Sequence, residues 1–144
     1  MTTTGRIELM APAGNFESLQ AAIDNGADSV YFGVEQLNMR ARASINFTLD
    51  DLEEIVNRCQ PKGIRTYLTL NTIIYDHDLS IVKTLINRAK EAGITAVIAM
   101  DPSVIAYARQ VGLEVHISTQ INVTNIETVK FYALFADTIV LSRE

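Results

Sequence analysis

Two arginines stand close together in a long polar segment and have the chemistry needed to bind an anion. Arg40 and Arg42 lie two positions apart between residues 35 and 47. A guanidinium group donates paired hydrogen bonds to a carboxylate or a phosphate, so the two side chains suit an anionic substrate or an RNA phosphate. The residues alone leave a second interpretation open, in which both arginines are solvated loop residues.

Four amide side chains come at, or just after, places where apolar segments end. Asn71, Gln120 and Asn122 follow two such segments, and Asn15 follows the turn Pro12-Ala13-Gly14. The first three could orient a substrate through paired donors and acceptors, or equally satisfy backbone groups in tight loops. The helix that starts at Asn15 could hold an anion at its N-terminus, although a simple helix cap is the favoured interpretation.

A carboxylate with possible catalytic use stands last in the sequence, where Arg143 and Glu144 follow the final apolar segment. Glu144 is predicted to be a catalytic base or the ion-pair partner of an arginine, and Arg143 to bind substrate. The segment Asp76-His77-Asp78 contains metal-ligand residue types, but consecutive loop residues rarely converge on one ion. A turn is therefore favoured there, and no metal site is predicted.

Three further residues have a structural interpretation that competes with a functional one. Glu8 lies inside the first apolar segment, where a buried carboxylate must be paired, so it is predicted to join an ion pair or to be an acid inside a barrel. His116 is predicted to be a hydrogen-bonded core histidine, and Cys59 a small buried apolar side chain. A peptidase also needs a nucleophile, a metal or paired aspartates, and neither G-x-S-x-G nor H-E-x-x-H occurs.

Apolar segments and amphipathic segments alternate along the chain, which predicts a series of βα units. The predicted strands are 7–11, 29–34, 64–70, 94–100, 113–119 and 137–141. The helices between them are predicted to begin at Asn15, Thr48, Leu79, Pro102 and Thr124. The last helix is predicted to have a Thr124–Glu127 capping box, and its inward-facing residues are predicted to be Ile126, Val129, Ala133 and Ala136. Glycines are predicted to end four helices, at Gly26, Gly63, Gly93 and Gly112. This order indicates a parallel sheet, either doubly wound or most of a (β/α)8 barrel. Six strands with five helices favour a partial TIM-type barrel truncated after strand six.

Composition excludes some classes of protein. The 144 residues are 48% hydrophobic and 20% charged, as in ordinary soluble domains, and carry a net charge of −5. That charge argues against a chain-wide footprint for nucleic acid or anionic membrane, but not against a local basic patch. One cysteine precludes an internal disulfide. No secretory signal or membrane-spanning run is visible, so a cytoplasmic location is expected.

Five ordered segments together resemble a known family across the chain. The segments are APAGNFESLQAAIDNGADSVYFGV, RARASINFTLDDL, YLTLNTIIYDHDL, ISTQINVTN and IVLSRE. They resemble the N-terminal part of the collagenase-like peptidase family of bacteria. Its members include proteases, prephenate-dependent tRNA uridine hydroxylation proteins, a ribosomal RNA cytidine hydroxylase and accessory proteins of ubiquinone hydroxylation.

The resemblance implies that residues 1–144 are the N-terminal part of a single barrel-like catalytic domain in a longer protein. It implies RNA base hydroxylation as the leading function, on RNA or a small anionic substrate, with a peptidase or a quinone-hydroxylation accessory protein as alternatives. Several members bind an iron–sulfur cluster through a cysteine-rich signature, which Cys59 does not match. No cofactor is therefore expected in this segment.

The edge strands of a partial barrel predict self-association. Residues 138–141 carry no charge, and Glu8 is the one charge in strand 7–11. Unpaired apolar edges are templates for pairing with another chain. We therefore expect the 144-residue chain to associate with itself, most simply as a symmetric dimer.

Overall fold

Six parallel strands form one sheet in the computed structural model, which describes residues 5–34 and 47–144. The strands are β1 Met10–Pro12, β2 Ser29–Phe32, β3 Arg65–Leu70, β4 Ala96–Ala99, β5 Glu114–Ile117 and β6 Thr138–Ile139. Their order in the sheet is their order in the sequence, β1 to β6, so β1 and β6 are the two edges. A doubly wound sheet would reverse this order at a switch point. The predicted partial barrel is thus confirmed, and the sheet is a half-barrel.

Five α-helices connect the strands in the part of the chain that the structure describes. They are α1 Phe16–Asp24, α2 Leu52–Cys59, α3 Leu79–Ala92, α4 Pro102–Val111 and α5 Ile126–Ala133. The predicted glycine ends are confirmed, since Gly93 and Gly112 both adopt the left-handed conformation, with φ of 91° and 80°. Among the helices that the structure describes, none is long and apolar enough to cross a bilayer.

The alternation of side chains along the strands gives the sheet two different faces. On the outer face, Leu68 of β3 stands opposite Val97 of β4, and the helices cover both. On the inner face, Tyr31, Tyr67 and Ala96 stand opposite one another across β2, β3 and β4. The outer face therefore builds the main core, while the inner face is the concave side of the half-barrel.

The first strand is shorter than its apolar run predicted, because it begins at Met10 rather than at residue 7. Before Met10, Asp28 takes the hydrogen bonds that a paired strand would otherwise make. Its carboxylate accepts from Leu9 N at 2.8 Å, and Asp28 N donates to the Leu9 carbonyl. Ile7 and Leu9 consequently stay exposed, at 91% and 58%. The strand boundary is set by a side-chain acceptor that the apolar pattern does not register.

The last two units also depart from the prediction. Helix α5 is capped by Asn125, whose Oδ1 accepts from Thr128 N at 2.9 Å, and not by Thr124. Glu127 pairs with Lys130 at 3.1 Å instead of closing a capping box. Ile126, predicted to face inward, is 62% exposed. Ala133 is exposed as well, so the predicted inward stripe of this helix is wrong at two positions.

Strand β5 is likewise shorter than the predicted 113–119, because Ser118 turns the chain. Its hydroxyl accepts from Gln120 N at 3.3 Å, and Thr119–Ile121 forms a short 3-10 turn. Strands β2, β3, β4 and β6 are each one to three residues shorter than predicted and lie within the predicted segments.

Candidate functional site

The polar residues that follow the strands lie at one edge of the sheet, which we call the rim. Since all six strands are parallel, their C-terminal ends meet at the same edge, where sites of α/β barrels are found. The rim residues among the predicted site residues are Asn15, Asn71, Gln120, Asn122, Arg143 and Glu144. The sequence predicts that Arg40, Arg42, Asn71, Gln120 and Glu144 line one end of the sheet, and Asn71, Gln120 and Glu144 follow β3, β5 and β6 in the chain. Arg40 and Arg42 lie outside the described residues, and the roles of all eight stay predictions.

Asn15 serves the helix that follows it. Its backbone is extended, and its Oδ1 accepts from Ser18 N at 2.7 Å, which is the geometry of an N-cap. The acceptor atom is thereby occupied by the first turn of α1. The structure favours the capping interpretation over substrate binding at this residue.

Gln120 and Asn122 share one tight turn after β5. Asn122 adopts the left-handed conformation, with φ of 57°, and its Nδ2 donates to the Gln120 carbonyl at 3.4 Å. The Asn122 amide therefore helps to shape the turn. The Gln120 side chain is exposed, and the backbone N of Gln120 donates to the Ser118 hydroxyl.

The loop after β3 begins at Asn71 and contains Asp76 and Asp78, which the sequence analysis did not assign to a site. Asp78 Oδ2 accepts from Tyr75 N at 3.0 Å, so Asp76–Asp78 forms the predicted turn. The rings of Tyr75 and His77 are parallel, with centroids 5.8 Å apart, and both side chains are exposed. Across residues 5–34 and 47–144 no group of three or more His, Cys, Asp or Glu side chains is arranged to hold a metal.

Asp101 fastens this loop to helix α4. Its carboxylate accepts from Ser103 N at 2.8 Å, from Ser103 Oγ at 2.6 Å and from Ile74 N at 3.2 Å. Burial alone would raise the pKa of Asp101, but these hydrogen bonds outweigh burial and lower the pKa below its ordinary value. The predicted N-cap is confirmed, and the same side chain also positions the rim loop after β3.

Glu144 lines an open cleft of about 570 Å³ at the end of β6. The cleft is lined by Val123, Thr124, Asn125, Ile126, Val129, Leu141, Ser142 and Glu144. The Ser142 hydroxyl donates to the Glu144 carboxylate and lowers the pKa of Glu144. The two roles predicted for Glu144, catalytic base and ion-pair partner of an arginine, both stay predictions.

A second polar group occupies the opposite, N-terminal end of the inner face, and we call it the floor cluster. It consists of Glu8, Arg65, Tyr67, Glu114 and His116. Arg65 Nη2 lies 2.7 Å from Glu114 Oε2, and Arg65 Nη1 lies 3.5 Å from Glu8 Oε1. The Tyr67 hydroxyl donates to Glu8 at 3.0 Å. Burial, helped by the Glu8 carboxylate, raises the pKa of Tyr67 to about 12. The predicted pairing of Glu8 is confirmed.

His116 is buried, as predicted, but its hydrogen bonding was predicted wrongly. Only 4% of the residue is exposed, and among residues 5–34 and 47–144 Nε2 has no hydrogen-bond partner; Glu114 Oε1 lies 3.7 Å away. Sequence reasoning also missed Arg65, Tyr67 and Glu114. The available signal was the spacing 65, 67 and 114, 116, which places each pair on the same face of its strand.

Cys59 does not suit the iron–sulfur cluster that the family resemblance brings into consideration. It is the one cysteine of the sequence, it is fully buried in the core, and burial raises the pKa of its thiol to about 11. Cluster ligands are thiolates and come in sets, so the residues of this chain do not fit such a cluster. The prediction that Cys59 is a buried apolar side chain is confirmed.

Comparison with known proteins matches residues 14–144 to Peptidase family U32. A collagenase of Porphyromonas gingivalis is 53% identical over 95% of this chain and 33% of its own length. The tRNA hydroxylation protein P1 of Bacillus subtilis is 33% identical over 98% of this chain and 34% of its own length. The chain thus spans about a third of the curated relatives it matches.

Among solved structures, the U32 peptidase Mk0906 superposes with a TM-score of 0.73 at 16% identity. The superposition covers 98% of this chain and 61% of that protein. At this identity the likeness supports the fold alone.

Proposed function

Because the chain belongs to Peptidase family U32, we propose that the full-length protein hydroxylates RNA bases and that this segment supplies the N-terminal part of the substrate pocket. The observation that carries the proposal is the chemistry of the rim. Asn71, Gln120 and Asn122 bring amide groups to the edge where barrel enzymes bind substrates.

Amides suit a nucleobase because each carries a donor and an acceptor side by side. The edge of an unstacked base presents the same two kinds of group, and RNA-binding proteins read such edges with paired hydrogen bonds. Gln120 is the rim amide best placed for this role, since its side chain is exposed on a short 3-10 turn that Ser118 caps. In this proposal Asn71 assists Gln120, and Asn122 maintains the turn.

The charged residues of the rim complete the proposed pocket. Arg40, Arg42 and Arg143 contact phosphate or another anionic group of the substrate. Glu144 is ionised at neutral pH, so it accepts a hydrogen bond or pairs with an arginine. We place the full-length protein in the cytoplasm, where its RNA substrate occurs.

Peptidase activity is the second candidate, and the 53% identity with a protein named collagenase favours it. A peptidase needs an activated nucleophile or a metal. Both histidines of the sequence lie beside carboxylates, His77 beside Asp78 and His116 beside Glu114, and within residues 5–34 and 47–144 neither is hydrogen-bonded to a serine or a cysteine. A peptidase would therefore take its catalytic groups from outside the residues described.

Nucleoside analysis of cellular RNA separates the two functions. The gene for the full-length protein is deleted, and digested RNA is examined by mass spectrometry for loss of a hydroxylated nucleoside. Wild type should restore the nucleoside, whereas Arg42→Ala and Gln120→Ala should each lower its level roughly two- to tenfold, as expected for one lost hydrogen bond. Gln110→Ala, at an exposed position of α4 away from the rim, is the matched control and should restore it fully.

The opposite outcome is equally concrete. If deletion leaves every RNA nucleoside unchanged while the purified full-length protein cleaves collagen peptides, hydroxylation is wrong and the peptidase assignment replaces it.

A further inference from the structure

Two buried side-chain atoms in the described part of the chain have no hydrogen-bond partner, and both lie on the inner face of the sheet. They are Ser29 Oγ of β2 and His116 Nε2 of β5. Ser29 stands opposite Arg65 in the ladder, and the His116 ring lies 4.6 Å from the Tyr67 ring. Buried polar atoms nearly always have a hydrogen-bond partner. Two exceptions beside one charged cluster therefore indicate that a further hydrogen bond can form there.

The charges of the floor cluster do not balance when His116 is neutral. Glu8 and Glu114 each carry a negative charge, and in the described part of the chain Arg65 is the positively charged residue paired with both. Arg65 approaches Glu114 through Oε2, while the other carboxylate oxygen, Oε1, faces His116 Nε2. One additional proton on Nε2 would neutralise the cluster and give the imidazole a partner.

We propose that His116 is a proton-binding site that controls how Glu114 is paired. In the neutral state Glu114 pairs with Arg65 and His116 Nε2 is unpartnered. When Nε2 takes a proton from solvent, the imidazolium closes onto Glu114 Oε1, and Arg65 shifts its pairing towards Glu8. The N–H bond formed on His116 Nε2 is the one covalent change, and the other changes are exchanges of ion-pair partners.

The surroundings of His116 define the direction of this response. The charged and titratable groups that face it are Glu8 from the segment before β1, Arg65 and Tyr67 from β3, and Glu114 from β5, whereas β4 contributes Ala96 and Ile98. Burial lowers the pKa of His116, and Arg65 adds to this, while Glu114 and Glu8 oppose it. The proton is therefore taken up on acidification. The Tyr67 hydroxyl keeps its proton throughout and remains bound to Glu8.

A nuclear magnetic resonance titration of the 144-residue chain tests the proposal, because the sequence contains only two histidines. The His116 imidazole should titrate at a lower pH than histidine in a short unstructured peptide. The Nε–H resonance of Arg65 should move with the same midpoint, because the guanidinium changes partner in the same event.

Substitution of the carboxylates provides the decisive comparison. Glu114→Gln should lower the His116 midpoint further, by about one pH unit, since an opposite charge within a few ångströms favours the protonated form. Glu8→Gln should shift it in the same direction by less, and it keeps the test available if Glu114→Gln does not fold. Glu127→Gln, at an exposed position of α5, is the control that should leave His116 unchanged.

Two results would overturn the proposal. One is a His116 titration curve that neither carboxylate substitution moves in a folded variant. The other is an Arg65 resonance that stays constant while His116 titrates.

Discussion

Helices α3 and α5 arise from the same kind of βα unit, yet their apolar residues have different surroundings. Val82, Leu85, Ile86 and Ala89 of α3 are buried, whereas α5 has no buried residue. Helix α3 packs between α2 and α4, while α5 has its main described contacts with β6 at the edge of the sheet. Amphipathic periodicity therefore determines which face of a helix is apolar. Whether that face is buried depends on helices packed on both sides of it.

The two helices should differ most in how much free energy of unfolding is lost when a leucine is replaced by alanine. Leu85→Ala removes a fully buried side chain and should lower the free energy of unfolding by about 2–5 kcal/mol. Leu134→Ala, just after α5 at a position 67% exposed, should change it by less than about 0.5 kcal/mol. Urea unfolding followed by circular dichroism measures both. Equal losses would show that α5 is as well packed as α3.

A smaller difference is expected between the N-caps of α4 and α5. Asp101 caps α4 and also holds the rim loop through Ile74 N, whereas the Asn125 cap bonds only within its own first turn. Asp101→Ala should therefore cost about 2 kcal/mol at pH 7 and Asn125→Ala about 1 kcal/mol or less. Thermal unfolding of the two variants checks this order, and a larger loss from Asn125→Ala would contradict it.

The Asp101 contribution should also depend on pH, with a defined sign. Its pKa is lower in the folded chain than the ordinary carboxyl value, so its stabilisation is fully present above that ordinary value. It should disappear as the pH falls through the lowered folded pKa. The stability difference between wild type and Asp101→Asn should accordingly shrink in acid, as measured by urea unfolding from pH 7 down to pH 3. A constant difference would show that ionisation of Asp101 is not involved.

The smallest effect on stability, but a clear one on assembly, is expected at the exposed apolar residues of the edges. We propose that the 144-residue chain self-associates through them; they include Ile7, Leu9, Phe131, Leu134 and Leu141, each more than half exposed. Leu134→Glu should shift the chain towards monomer in light scattering over a wide concentration range. Ile81→Glu, at an exposed position of the central helix α3, should not. A wild-type chain that is monomeric at every concentration would remove the proposal.

Much of the fold was predictable because its signals are local. Asn15 and Asp101 were identified as caps from their position before a helix, and Gly93 and Gly112 as helix ends, because such hydrogen bonds and backbone angles involve neighbours in sequence. Placement of the rim residues followed from one further step, since parallel strands end at the same edge. Helix α5 was less predictable, because three adjacent residues, Thr124, Asn125 and Ile126, all suit the start of a helix.

The floor cluster could not be predicted, because its contacts depend on strand register. Arg65 and Glu114 meet across β4, and Glu8 reaches Tyr67 from the opposite side. Residues that are 49 and 59 positions apart in sequence thereby come into contact. The pattern of each strand indicates which side chains share a face, but not which charges then stand opposite one another.

The consecutive order of the strands has a consequence for how the chain reaches its native state. Each inner strand pairs with the strand before it and the strand after it in sequence, so no pairing waits for a distant segment to be made. Pairing of successive βα units closes smaller loops than pairing of distant strands would, so less chain entropy is lost before each contact forms. During synthesis on the ribosome, each βα unit can therefore pair with the preceding unit as soon as it emerges. The sheet can grow by one strand at a time from its N-terminal edge.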